Sequence, residues 1–132
     1  MMRALWMTQE LVNQIVADAH QERPNEACGL IVGKGQQATQ VIPVANVHTQ
    51  PMHYFRMDPT ALARHLPSLE RQGLSLLGFY HSHPNGDPIP SETDIREAAY
   101  HDTAYVIASL KDGVPRLAAW LINNGRVQPL TL

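Results

Sequence analysis

Cysteine is nearly absent from this 132-residue chain: Cys28 stands alone, so no internal disulfide can form. Small secreted domains commonly lean on several disulfides, and a reducing, cytoplasmic compartment is therefore expected. Long apolar runs are missing as well. None approaches the length needed to cross a bilayer, and the opening stretch of residues 1–7 is interrupted by Thr8, Gln9 and Glu10, which leaves it too short for a signal peptide. Nor is there an excess of basic charge. Ten Lys and Arg oppose twelve Asp and Glu for a formal charge of -2, with no dense basic run of the kind that grips phosphate backbones, which argues against nucleic acid as a partner. Repeats, low-complexity tracts and linkers are lacking too. With 44% hydrophobic residues, the expectation is one domain over residues 1–132 with its own core.

The elements follow from periodicity and punctuation. Residues 8–20 place Leu11, Val12, Ile15, Val16 and Ala19 on one helical stripe behind an N-capping Thr8. Residues 27–32 form a short apolar run that predicts a buried strand ending at Gly33-Lys34-Gly35, and a second strand is expected over residues 39–47. A short strand over residues 54–57 follows. Asp58-Pro59 then starts a helix that runs to about Gln72, with Leu62, Leu66 and Leu69 on its apolar face and a kink expected at Pro67. Residues 74–81 read as a buried strand and the proline-rich stretch 84–90 as a loop. Ser91 opens a helix expected to reach about Tyr100, and strands over residues 104–110 and 115–122, with a last one near Val127, complete the chain. The fold class is α/β, a mixed and mostly antiparallel sheet flanked by helices.

One constellation carries chemistry. Side chains alternate along a strand, so His81 and His83 project from one face if the strand reaches that far. Residues three apart share a helix face, so Ser91 and Asp94 point together from the first turn after the loop. A strand end and a helix start, joined by a tight proline-rich loop, thus bring two imidazoles and a carboxylate to one point. That set suits zinc, whose catalytic sites use three protein ligands and leave a fourth position for water. An isolated His-x-His is weak evidence; the joint pattern through Ser91 and Asp94 favours a metal site. Ser91 also serves as an ordinary N-cap. A general base is less readily found: Glu26 borders a buried strand, where its pKa would rise, but Glu22, Glu92 and Glu97 are equally candidates on the residues alone.

This pattern resembles the JAMM motif of MPN-domain metallopeptidases, in which an upstream Glu, His-x-His, and then Ser and Asp at this spacing build the active site. The resemblance implies that His81, His83 and Asp94 hold one zinc ion, that Glu26 is the catalytic acid and base, and that Ser91 helps to hold the oxyanion. It extends to Asn46, Phe55 and Asp58-Pro59, and so over most of the chain. It also implies an MPN sandwich, cytidine deaminase-like in its layers. The expected function is that of a zinc metallopeptidase cutting an amide bond at the C-terminal glycine tail of a ubiquitin-like sulfur-carrier protein. Its other readings are a zinc amidase acting on another peptide, such as a cell-wall peptide, and a non-catalytic MPN binding module; the complete Glu, His, His, Ser, Asp set speaks against the last. Cys28 is expected to be a buried small hydrophobe. His48 and His53 are candidates to line a substrate cleft, although surface or packing roles are expected for them as for His20, His65 and His101.

Overall fold

The computed structural model describes residues 2–132. Its elements are α1 (Gln9–Glu22), β1 (Cys28–Lys34), β2 (Gln37–Val44), α2 (Pro59–Arg71), β3 (Ser75–His83), α3 (Glu92–Glu97), β4 (Ala104–Ser109), a 3-10 turn at Lys111–Gly113, β5 (Arg116–Asn123) and β6 (Arg126–Leu130). The six strands form one sheet in the order β2-β1-β3-β4-β5-β6. Every pairing is antiparallel except β3 with β4. A parallel neighbour needs a crossover connection, and here the crossover consists of the 84–90 loop, α3 and residues 98–103.

Helices cover both faces of the sheet, as the sequence predicts. Thr8 caps α1 by accepting the Leu11 N–H at 3.3 Å, and Leu11, Ile15 and Ala19 are buried while Val12 and Val16 are only part-buried. With Leu5, Ile31, Tyr80 and Val106 they make the core on one face. On the other, Ala61 and Leu69 of α2 pack against Cys28, Leu30 and Val32, with Leu62, Leu66 and Phe79 at the margin. Fully burying an aliphatic side chain of this size is worth about 1.5–3 kcal/mol. Among the described residues no helix is long and apolar enough to cross a membrane.

Three boundaries depart from expectation. β2 lies earlier than residues 39–47, because Gly35, at φ +62°, starts a tight turn that brings Gln37 opposite Lys34. Residues 54–57 are not a strand: only the Asn46–Met57 bridge forms, and the Asn46 side chain takes up the backbone groups that a neighbouring strand would. The helix at Ser91 stops at Glu97, short of Tyr100, since Ala98 turns extended and Tyr100 packs its ring against Phe79 with centroids 4.9 Å apart. Asp58 caps α2 as predicted, by accepting the Thr60 N–H at 3.0 Å, and the helix continues past an exposed Pro67.

Candidate metal centre

β3 extends through His83, so His81 and His83 do leave the same face, that of α2. His81 is buried and Phe55 lies against its ring, with centroids 4.4 Å apart and planes 23° from parallel. Asp94 arrives from the first turn of α3. There the Asp94 N–H donates to Ser91 Oγ at 3.0 Å and the Ser91 N–H donates to Asp94 Oδ2 at 2.9 Å, a reciprocal capping box that fixes the carboxylate. A cap and a ligand position are thus built from the same two residues.

The three side chains meet at their tips. His81 Nε2, His83 Nε2 and Asp94 Oδ2 form a triangle with every side 3.1 Å. Among the described residues these are a His and carboxylate group able to hold a metal ion. Zinc bonds of 2.0–2.1 Å in tetrahedral geometry separate neighbouring donors by about 3.3 Å, so the spacing fits. The donor chemistry fits as well. The lone pairs of three such atoms turned toward one point repel each other unless a proton or a metal ion lies among them, and a metal ion can serve all three at once. His83 Nδ1 sits 2.9 Å from the Asp87 carbonyl, which can only accept, so this nitrogen carries the proton and Nε2 is free to ligate.

The electrostatics of Asp94 and His81 agree with that role. Burial alone would raise Asp94, but hydrogen bonds to His81 and His83 outweigh it and hold the carboxyl well below the usual carboxylate range. His81 is pushed down by burial, which favours the neutral imidazole that binds metal. For His83, burial is outweighed by the bonds to Asp94 and to the Asp87 carbonyl, and its pKa lies above the ordinary value.

Glu26 is buried just before β1, at 7% exposure, and is oriented by long-range contacts. Its N–H donates to the Pro51 carbonyl at 2.8 Å, and the Asn46 amide donates to its carbonyl at 3.0 Å. Next to it, the Ala27 N–H donates to Ser82 Oγ at 2.7 Å, which ties the segment to the residue between the two histidines. Burial pushes the Glu26 carboxyl from 4.5 up to about 7, with His83 drawing it down and Asp94 pushing it up. Glu22, Glu92 and Glu97 are exposed. A raised pKa has a measurable consequence in the metal-free chain. Between pH 4.5 and 7 the unfolded state gives up this proton before the folded state does, so stability falls as pH rises, and above about 7 the whole cost remains. Metal-free Glu26→Gln is therefore expected to be more stable than wild type by roughly 3 kcal/mol at pH 8 and equally stable at pH 4. Thermal unfolding at the two pH values checks this, and equal stability at pH 8 would contradict it.

The same sheet face carries a cavity of about 360 Å³, lined by His48, Phe55, Arg56, Phe79, Tyr100 and Tyr105 among others. Phe55 is thus a wall of the cavity and a neighbour of His81 at once. His48 lines this space as one sequence reading allowed, whereas His53 is exposed in the 46–57 loop; His20 and His101 are exposed and His65 is half-buried. Cys28 is buried, donates to the Val44 carbonyl at 3.3 Å, and is pushed up to about 12 by burial, which makes it a packing residue. Residue patterns alone did not mark the stacking role of Phe55 or the Asp87 carbonyl. The second has no side-chain signature at all.

The family described as prokaryotic homologs of the JAB domain matches residues 8–123. The chain is 41% identical over 122 residues to a "probable TtuB-protein conjugate cleaving protease" of Thermus thermophilus, covering 92% of this chain and 78% of that one. It is 32% identical over 105 residues to the "CysO-cysteine peptidase" of Mycobacterium tuberculosis, covering 78% and 71%. The crystal structure of AF2198, a JAB1/MPN domain protein from Archaeoglobus fulgidus, superposes with a TM-score of 0.65 at 18% identity over 97% of this chain and 96% of that one, which shows the fold. With the family match spanning most of the chain, the mixed six-stranded sheet in place and a His-His-Asp triad spaced for zinc, the chain belongs to the prokaryotic JAB group of MPN (JAMM) metallopeptidases.

Proposed function

We propose that this chain is a cytoplasmic zinc metallopeptidase that hydrolyses an amide bond at the C-terminal glycine tail of a ubiquitin-like sulfur-carrier protein, working as one catalytic domain. The observation that carries the reading is the 3.1 Å triangle of His81, His83 and Asp94 donors, with a buried Glu26 held above its ordinary pKa beside it. Bound zinc supplies Lewis acidity and makes water acidic enough to ionise near neutral pH. Glu26, poised near 7, takes up a proton from the attacking water and returns it to the leaving amine. The Ser91 oxygen already accepts the Asp94 N–H, so its own O–H remains free to donate to the oxyanion that develops on the scissile carbonyl. His81, His83 and Asp94 would hold the metal in a pocket whose burial strengthens each of these interactions.

The substrate class rests on the kinship with proteins named as a probable TtuB-protein conjugate cleaving protease and a CysO-cysteine peptidase. A glycine tail is slender enough to lie extended in a narrow cleft and gain main-chain hydrogen bonds there. The cytoplasmic setting rests on the single, buried, unpaired Cys28. The test is incubation of the zinc-loaded chain with several ubiquitin-like carriers bearing a C-terminal extension, read by mass spectrometry. Trimming back to the glycine tail is the expected result. Intact extensions on every carrier, with zinc verified in the enzyme, would remove this substrate class.

A further inference from the structure

The loop that joins the two histidines to Asp94 is gripped at three consecutive carbonyls by three different strands. The Ser109 hydroxyl, at the end of β4, donates to the Gly86 carbonyl at 2.6 Å. The Trp120 indole N–H, from β5, donates to the Pro88 carbonyl at 3.0 Å. Between them the Asp87 carbonyl accepts from His83 Nδ1 at 2.9 Å and from the Ile89 N–H at 2.8 Å. Ser109 is wholly buried, its oxygen also accepts the Lys111 N–H at 3.2 Å, and its backbone pairs in parallel register with His83. The loop contributes little slack of its own, since Pro84, Pro88 and Pro90 restrict it.

Peptide planes are rigid, so fixing the carbonyls on either side leaves the Asp87 carbonyl little freedom to turn away from the imidazole. We infer that Ser109 and Trp120 are positioning residues, which hold the Gly86 and Pro88 carbonyls so that the Asp87 carbonyl between them sets the tautomer and ring orientation of His83. With the proton kept on Nδ1, the Nε2 lone pair faces His81 and Asp94. Without those two grips the carbonyl swings and His83 exchanges between tautomers, only one of which presents the ligating nitrogen. The salt bridges of Asp87 Oδ1 with Lys111 at 3.5 Å and Arg116 at 3.6 Å lie on exposed side chains and do little to hold the loop.

The inference rests on the zinc reading of the triad, and two measurements keep them separable. The first is the His83 tautomer in the metal-free chain, read from imidazole nitrogen chemical shifts after raising the pH until those shifts stop changing, so that only the neutral ring is compared. Wild type is expected to hold the proton on Nδ1, and Ser109→Ala and Trp120→Phe each to show a mixture with the Nε2–H form. The second is zinc affinity by competition with a chromophoric chelator. Loss of outer partners of a metal-bound His commonly weakens binding by roughly 10–100-fold, and that range is expected for both variants. Trp120→Phe keeps an aromatic ring at this part-buried position and removes the indole N–H donor, so it judges the inference alone if Ser109→Ala fails to fold. A folded Trp120→Phe with an unchanged Nδ1–H tautomer and zinc affinity within about twofold of wild type would overturn it. A wild-type chain that binds no zinc would remove the zinc reading, while the tautomer measurement would still decide the positioning role.

Discussion

Glu26→Gln is expected to retain zinc at the wild-type level and to lose peptidase turnover by roughly 10²–10⁴-fold, the range that a positioned general acid or base contributes. Glutamine keeps the shape of the side chain and cannot carry the proton from water to the leaving amine. The three ligand atoms meet 3.1 Å from one another without Glu26 among them, so the metal should stay. Burial is what makes this carboxylate suitable: in water it would release its proton near 4.5, and here it does so at about 7. The loss should fall on kcat with KM little changed, because Glu26 acts on a proton in flight and not on the bound tail. Full turnover in the glutamine variant would assign the proton transfer to another group, and the exposed Glu97 beside the cavity would be tested next.

Asp94→Asn is expected to have an effect of comparable size through a different route. The carboxylate serves two masters, accepting the Ser91 N–H at 2.9 Å as half of a capping box and facing both imidazoles at 3.1 Å. An amide oxygen can still accept from Ser91, so α3 should keep its start and the fold its stability to within about 1 kcal/mol, the usual worth of a cap. What is lost is the one negative charge among the three ligands, which strengthens their hold on a divalent ion. Zinc affinity should fall by more than the ~100-fold seen when only an outer partner of a ligand is removed, and activity should fall with it. Chelator competition alongside thermal unfolding separates the two roles. A variant that unfolds readily yet binds zinc as wild type does would reverse the assignment.

Much of this site was legible because its pieces are local. His81 and His83 share a face through strand alternation and Ser91 and Asp94 through the helical turn, so each pair is brought together by a rule that acts over two or three residues. Glu26 is different. Its approach depends on β1 pairing with β3 and on the Ala27–Ser82 bonds, contacts between segments 55 residues apart, and no periodicity in either segment records them. The resemblance to JAMM peptidases points to Glu26 where the residues alone left Glu22, Glu92 and Glu97 beside it, and of the four Glu26 is the buried one. The strand expected over residues 54–57 failed for a related reason. Its aromatic and apolar residues look strand-like, but the Asn46 side chain donates to the Tyr54 carbonyl and accepts the Arg56 N–H, both at 3.0 Å, and satisfies the backbone without a neighbour strand. Strand order was likewise beyond local rules, since the parallel pairing of β3 and β4 is a property of the crossover that carries Asp94.

The most direct test is the metal content of the purified chain, measured by mass spectrometry for wild type, Glu26→Gln and His81→Ala together. One zinc per chain in the first two and none in His81→Ala is the predicted result. No metal in any of the three after zinc addition, or equal zinc in all three, would contradict a catalytic centre built on His81, His83 and Asp94.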